Sequence, residues 1–179
     1  MAMIRSEVFK SLELGASLGK SDVSETPLLK LSWILERSIL KNEKLLVWRG
    51  NYDPVTIFHG SKAPPNMTVT QYMERILKYS NCSPSCFVIA QIYMERFFHK
   101  NGGYLTSFNA HRLLITSIMI AAKFLDDKYY SNAYFAKVGG VSTEEMNRME
   151  IEFLFILEFK LFVTTELFLK YCENLDKAV

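Results

Sequence analysis

The most distinctive chemistry in this sequence comes from charged side chains that stand inside apolar segments. Lys123 closes a mainly apolar run, Glu150 lies one helical turn before an apolar stretch, and Glu95 is embedded in the segment 92–98. A buried charge needs a partner, although a long charged side chain can also extend its end group to the surface. Two interpretations therefore stay open from the residues alone. Either each group forms an internal pair, or Lys123 and Glu150 present hydrogen-bonding groups within an apolar docking surface.

The sequence patterns that are typical of catalysis are absent. His59, His99 and His111 are scattered, and none of them stands in a recognisable arrangement with a nucleophile or a carboxylate. There is no phosphate-binding loop, no dinucleotide-binding glycine motif and no zinc-protease motif. Asp126 and Asp127 could be considered as metal ligands, but adjacent residues at a helix end point to different sides. We therefore expect a protein that is not an enzyme and that holds neither a cofactor nor a metal.

The composition is that of an ordinary folded domain. Of 179 residues, 49% are hydrophobic and 22% are charged, which excludes collagen-like and mostly disordered chains. The formal net charge is only +2, whereas a domain that grips a phosphate backbone usually carries a clear basic excess. The most apolar stretch, 113–122, is about half as long as a membrane span. We expect an intracellular protein, cytoplasmic or nuclear, that binds neither nucleic acid nor a membrane.

The elements that must position these charges are predicted to be helices. No proline follows Pro84, and cap residues stand in front of several periodic apolar segments. Capping boxes formed by Thr68 with Gln71 and by Ser142 with Glu145 predict two of the helix starts. The predicted helices span about 68–80, 84–100, 109–126, 132–139, 142–158 and 165–175.

The segment 113–125 predicts the centre of the fold. Apolar residues cover every side of this helix, and a helix that is apolar all round is buried all round. We therefore predict an all-α fold in which the other helices surround it, with Ile118 and Ala122 inaccessible to solvent. Along the chain we expect a partly flexible N-terminal arm and helix over 1–50, a proline-rich linker over 51–67, a helical core over 68–163 and a C-terminal helix over 164–179.

Four segments in unbroken order resemble the cyclin box: IYMERFF (92–98), HRLLITSIMIAAKFLDD (111–127), NAYFAKVGGVS (132–142) and NRMEIEFLFILEFKL (147–161). They are especially similar to the P-type or U-type cyclins, which are related to the phosphate-pathway cyclin of yeast. The resemblance implies a single cyclin box, a five-helix bundle around a buried central helix, with flanking N- and C-terminal helices. It also implies a non-catalytic subunit that binds and activates a cyclin-dependent protein kinase by stabilising the inward position of its C-helix.

The resemblance also assigns roles to individual residues. By position, Lys123 and Glu150 match the charged pair that anchors the kinase near its C-helix. The apolar contact positions of that interface match Ile120, Phe124, Leu154, Phe159 and Leu161. Cyclins usually carry an aspartate where Glu95 stands, paired with an arginine of the first box helix. Arg75 is therefore the expected partner of a buried Glu95.

Two other functions stay open at this point. Cyclin-fold repeats also occur in general transcription factors that clamp DNA, although the near-neutral charge and the single repeat argue against that role. The other alternative is an all-helical adaptor that is unrelated to kinases, in which Lys123 and Glu150 have only a structural role.

Overall fold

The computed structural model describes residues 27–50, 55–60 and 65–177, and all regular secondary structure in these ranges is helical. Seven helices follow one another along the described part of the chain: α1 (Pro27–Arg49), α2 (Val69–Ser80), α3 (Pro84–Asn101), α4 (Ala110–Leu125), α5 (Asn132–Gly139), α6 (Thr143–Ile156) and α7 (Thr165–Lys177). The predicted all-α class is confirmed. None of these helices is long and apolar enough to cross a membrane. The predicted arm before residue 27 lies outside the described residues.

Both predicted capping boxes are present at their helix starts. Thr68 Oγ1 accepts a hydrogen bond from the Gln71 backbone N–H at 3.1 Å, and the Gln71 side chain accepts one from the Thr68 N–H at 3.0 Å. Ser142 and Glu145 make the same reciprocal contacts in front of α6. These bonds satisfy N–H groups that the first turn of a helix leaves without intrahelical partners. They fix where α2 and α6 begin.

Helix α4 is the centre of the bundle, as the apolar pattern of 113–125 predicts. Ile118 and Ala122 are fully buried. The helix packs along α3 and also contacts α2, α5 and α6. Burial of an aliphatic side chain such as isoleucine contributes roughly 1.5–3 kcal/mol to folding. The stability of the fold therefore depends on the helix whose last turn carries Lys123.

Helix α1 belongs to the core, although it precedes the predicted bundle. The residues that form its inner face are all buried: Leu28, Leu31, Leu35 and Ile39. Glu36 Oε1 accepts hydrogen bonds from the backbone N–H and from the hydroxyl of Thr70, both at 3.1 Å. The outer face carries Trp33 and Trp48, and both tryptophans are exposed. Helix α1 is thus tied to the start of α2 and presents aromatic surface to solvent.

The predicted brace between Glu95 and Arg75 is wrong. Glu95 is exposed on α3, where its carboxylate accepts hydrogen bonds from the Gln91 amide at 3.2 Å and from the hydroxyl of Tyr171 on α7. Arg75 instead donates to backbone carbonyls at the end of α5. The C-terminal end of a helix has unpaired carbonyls and a partial negative charge, so it attracts the guanidinium without the help of a carboxylate.

The four-residue sequence Tyr-Met-Glu-Arg occurs twice, at 72–75 in α2 and at 93–96 in α3. In both copies the tyrosine and the arginine donate hydrogen bonds to backbone carbonyls of another segment. We name Tyr72 with Arg75 the first anchor. The Tyr72 hydroxyl donates to the Gly139 carbonyl at 2.9 Å. The guanidinium donates to the two carbonyls before it, at 2.7 and 3.3 Å. The first anchor therefore holds three consecutive carbonyls where α5 ends.

Tyr93 with Arg96 forms the second anchor, which holds a different segment in the same manner. The Tyr93 hydroxyl donates to the Leu161 carbonyl at 2.8 Å. The Arg96 guanidinium donates to the carbonyls on either side of it, those of Lys160 and Phe162, at 3.0 and 3.1 Å. Burial raises the pKa of the tyrosine in each anchor, so both hydroxyls remain donors.

Candidate functional site

Lys123 and Glu150 lie side by side where α4 contacts α6. Lys123 is in the last turn of α4, and Glu150 stands on the second half of α6. Lys123 Nζ is 2.7 Å from Glu150 Oε1, and the two side chains are 28% and 17% exposed. The packing of these two helices therefore brings together the two charges that the sequence singled out. The charges pair with each other and still reach the surface.

Two asparagines complete the surroundings of Glu150. The amide of Asn132, at the start of α5, donates to Glu150 Oε2 at 2.7 Å and to the side-chain oxygen of Asn147 at 2.7 Å. Both carboxylate oxygens of Glu150 thus have a partner, and their positions are fixed from two sides. Sequence reasoning missed both residues. Asn147 could have been found because it precedes Glu150 by three residues and shares its helix face.

The exposed face of α6 continues the site with apolar side chains. Helical spacing places Leu154 on the same face as Glu150, and Ile151 and Phe155 form the adjacent, more exposed face of the helix. Ile151 and Phe155 are 57% and 66% exposed, and sequence reasoning missed both. The sequence could have indicated them, because they are apolar, they are four residues apart, and each directly follows a residue that was predicted to contact the kinase. Apolar side chains left in water next to an ion pair are typical of an interaction surface.

The predicted apolar contact residues divide into three groups by exposure. Phe124 and Phe159 are exposed, and Leu154 and Leu161 are partly buried. Ile120 is only 2% exposed, so its prediction as a surface contact is wrong. The reason is that α4 is surrounded by its neighbours up to its last turn, and Ile120 lies one turn too early to reach solvent. It supports the site from the core.

The chain leaves α6 through residues 157–162, which we name the aromatic turn. The N–H groups of Phe159 and Glu158 donate to the carbonyls of Leu154 and Phe155, both at 2.9 Å, as in a Schellman helix end. Glu158 and Phe159 have φ values of 53° and 57°. Such a left-handed backbone costs a residue with a Cβ roughly 1–2 kcal/mol. Contacts from outside the turn must offset this cost.

Side chains of α3 provide those contacts. The second anchor holds the carbonyls of residues 160–162. Lys100 of α3 also pairs with Glu158 at 2.6 Å, and Lys160, which lies within the turn, pairs with the same carboxylate; both of these ion pairs are exposed. The two ammonium groups lower the pKa of Glu158 from 4.5 to about 2. The turn leaves the rings of Phe159 and Phe162 exposed, and Phe159 makes an edge contact with Phe155 at 5.4 Å between ring centroids.

Residues 28–161, from the start of α1 into the aromatic turn, match a sequence model of the cyclin family. The chain belongs to the cyclin family. Cyclin-P3-1 of Oryza sativa subsp. japonica is 51% identical over 96% of this chain and 73% of its own length. Cyclin-U3-1 of Arabidopsis thaliana is 47% identical over 98% of this chain and 79% of its own length. Cyclin-U4-1 of the same plant is 49% identical over 92% of this chain and 81% of its own length.

These relatives confirm the resemblance to P-type and U-type cyclins. Cyclins are regulatory subunits and not catalytic ones, so family membership implies a role in regulating cyclin-dependent kinases in general. The family match begins at residue 28, in α1, whereas the predicted helical core begins at residue 68. The division of this cyclin into arm, linker and core stays a prediction.

Proposed function

We propose that this cyclin binds a cyclin-dependent kinase catalytic subunit and activates it by stabilising the inward position of the kinase C-helix. Lys123 and Glu150 are the charged anchors of the contact. The observation that supports this proposal best is their partly exposed ion pair beside an exposed apolar face of α6. A pair with a purely structural role needs no apolar surface around it.

The mechanism is a shift of population between two kinase conformations. A kinase of this class needs the ion pair between its ATP-site lysine and its C-helix glutamate, and this pair is broken when the C-helix moves outward. A cyclin that binds only the inward state favours it by the difference in binding free energy. A shift from 1:99 to 99:1 requires roughly 5.5 kcal/mol. An interface of ordinary size, about 1,600 Å², with a well-packed apolar centre provides this much.

The ion pair is able to bind a partner without being broken. A lysine ammonium has three N–H donors and a carboxylate has about four acceptor positions. Glu150 uses one donor of Lys123, and Lys123 and Asn132 use two acceptor positions of Glu150. The remaining donors and lone pairs are available to backbone and side-chain groups of a docked kinase. The two charges therefore continue to neutralise each other while the pair forms further hydrogen bonds with the kinase.

Apolar side chains around the pair exclude water from these hydrogen bonds. Phe124 follows Lys123 directly, Leu154 lies one turn after Glu150, and Phe159 extends the surface beyond the end of α6. Desolvated charged hydrogen bonds surrounded by apolar contacts are the usual composition of a binding hot spot. Ile151 and Phe155 add to the same surface.

The test compares two ion pairs that join the same helices. Arg112 of α4 pairs with Glu145 of α6 at 2.6 Å and is exposed to a similar extent as Lys123, but it lies near the opposite end of α4. Lys123→Ala and Glu150→Ala should weaken kinase binding by on the order of 2–5 kcal/mol. Arg112→Ala should leave the affinity unchanged.

The affinity is measured by titration against a panel of purified cyclin-dependent kinase catalytic subunits, and the melting temperature is measured on the same samples. A folded Lys123→Ala protein that binds and activates a kinase normally would rule out the role of this residue. A wild-type chain that binds no member of the panel would contradict the proposal as a whole.

A further inference from the structure

The second anchor contacts the segment that carries the aromatic surface, and we propose that Tyr93 and Arg96 are positioning residues for kinase binding. They fix the aromatic turn so that Phe159 and Phe162 are held in a binding-ready orientation. This inference rests on the proposed function, and it adds two residues of α3 that do not themselves touch the kinase.

The aromatic turn contains unfavourable backbone at two of its residues. Glu158 and Phe159 are consecutive residues with a Cβ, and both adopt the left-handed backbone that glycine usually provides at a helix end. Backbone hydrogen bonds within the turn continue to Leu161, because the N–H groups of Lys160 and Leu161 donate to the carbonyls of Leu157 and Phe159, both at 3.0 Å. These bonds do not use the carbonyls of residues 160–162. The segment therefore needs an external support.

That support comes from a rigid helix. Tyr93 is fully buried in α3, so its ring has one position and its hydroxyl reaches the Leu161 carbonyl at 2.8 Å. Arg96 stands one turn later and binds the carbonyls of Lys160 and Phe162. Three consecutive carbonyls are thus fixed by two side chains of one helix. Hydrogen bonds to three successive carbonyls restrict the orientation of residues 160–162 relative to α3.

The consequence of this support is a set of exposed aromatic rings on an ordered backbone. Phe159 and Phe162 remain in solvent instead of folding back onto the core. Ordering a loop and its side chains costs free energy when a partner binds, and a loop that is ordered beforehand avoids this cost. A rigid support of this kind is what an accurate binding site requires. Tyr93 and Arg96 therefore influence affinity through Phe159 and Phe162.

The first anchor offers a matched control within the same chain. Tyr72 and Arg75 have the same sequence, the same spacing and the same type of contacts with three carbonyls. Their target is the end of α5 at residues 137–139, which contains no aromatic residue. A loss of hydrogen bonds at either anchor should affect stability in a similar way. Only a loss at the second anchor should alter the aromatic turn.

The experiment uses Tyr93→Phe and Arg96→Gln, with Tyr72→Phe and Arg75→Gln as controls, in the full chain. Tyr93→Phe keeps the buried ring, which makes it the variant that preserves the fold. We expect amide hydrogen exchange at residues 158–162 to accelerate roughly tenfold in the second-anchor variants alone. We expect their affinity for the panel kinase that binds the wild type to fall roughly tenfold, while the controls stay within about twofold.

A double-mutant cycle then separates positioning from general stability. If Arg96 acts through Phe159, Arg96→Gln should weaken binding little further once Phe159→Ala is present. Full additivity, or unchanged affinity and exchange in Tyr93→Phe, would overturn the inference. The proposed function would still stand in that case, provided that the wild type binds a kinase and Lys123→Ala does not. Failure of the wild type to bind any kinase would instead overturn both.

Discussion

The two anchors place one four-residue sequence, Tyr-Met-Glu-Arg, in two different settings. The first anchor holds the end of α5, where Gly140 adopts a φ of 72° that a residue without a Cβ accepts easily. The second holds the aromatic turn, where Glu158 and Phe159 adopt the same type of backbone at a cost. Unfavourable backbone persists only where the surroundings enforce it, and it is concentrated at functional sites. The comparison thus separates a structural anchor from one that supports a surface.

The largest expected effect comes from a substitution that destabilises the whole bundle and therefore disrupts both anchors. Ile118→Asp places a carboxylate without a partner in the centre of α4, and it should lower the free energy of unfolding by several kcal/mol. Chemical denaturation monitored by circular dichroism measures this loss. Ile151→Asp, the same change at an exposed position of α6, should have little effect on stability. Equal stabilities of the two variants would contradict the central position of α4.

A smaller effect should be confined to the first anchor. A Cβ on Gly139 would lie 2.9 Å from Ile115 Cγ1 and 3.1 Å from the Tyr72 hydroxyl, and both of these side chains are buried. Gly139→Ala should therefore lower the free energy of unfolding by roughly 1–3 kcal/mol. Urea denaturation measures the loss. Hydrogen exchange in the aromatic turn should remain as in the wild type, and faster exchange there would show that the anchors are coupled.

Substitutions at the two left-handed turns should change stability in opposite directions. Gly140→Ala adds a Cβ at a φ of 72° and should lower the free energy of unfolding by roughly 1 kcal/mol. Glu158→Gly removes a Cβ at a φ of 53° and should raise it by roughly 0.5–1 kcal/mol. The ion pairs that Glu158 loses are exposed and contribute little. Thermal unfolding measures the change in stability of both variants. Changes of the same sign would contradict the proposed difference in backbone cost between the two turns.

The smallest effect is a dependence on pH at the second turn. Lys100 and Lys160 lower the pKa of Glu158 from 4.5 to about 2 in the folded chain. A depressed pKa adds stability that is fully present above pH 4.5 and is lost as the pH falls towards 2. The wild type should therefore exceed Glu158→Gln slightly in stability at pH 6 and match it at pH 2. A difference in melting temperature that stays constant over this range would contradict the assignment.

The sequence predicts the helices better than it predicts their polar contacts. Apolar spacing and capping residues depend on residue type, so the starts of α2 and α6 and the burial of Ile118 can be read directly. The meeting of Lys123 with Glu150 followed from the resemblance to cyclins. The resemblance predicts a carboxylate partner for Arg75, whereas its partners in the structure are backbone carbonyls of α5. A carbonyl has the same chemistry at every residue, so no pattern of side chains reveals it.

The exposure of residues near the end of a buried helix is also difficult to predict from sequence. Ile120 and Phe124 are four residues apart on one face of α4, and spacing alone treats them alike. Their exposure differs because the neighbouring helices cover α4 up to its last turn and no further. The repeated Tyr-Met-Glu-Arg sequence was a signal that could have located both anchors. Their targets, however, depend on how α5 and the aromatic turn pack against α2 and α3.

The exposed outer face of α1 has an optical consequence. The chain has two tryptophans, Trp33 and Trp48, and both stand on that face. Tryptophan emission therefore reports on one side of one helix, while the core and the aromatic turn contain only phenylalanine and tyrosine among their aromatic residues. A kinase that docks on α6 alone leaves this emission unchanged, whereas a partner that covers α1 shifts it to shorter wavelength. The protein carries a native fluorescent label that distinguishes the two faces.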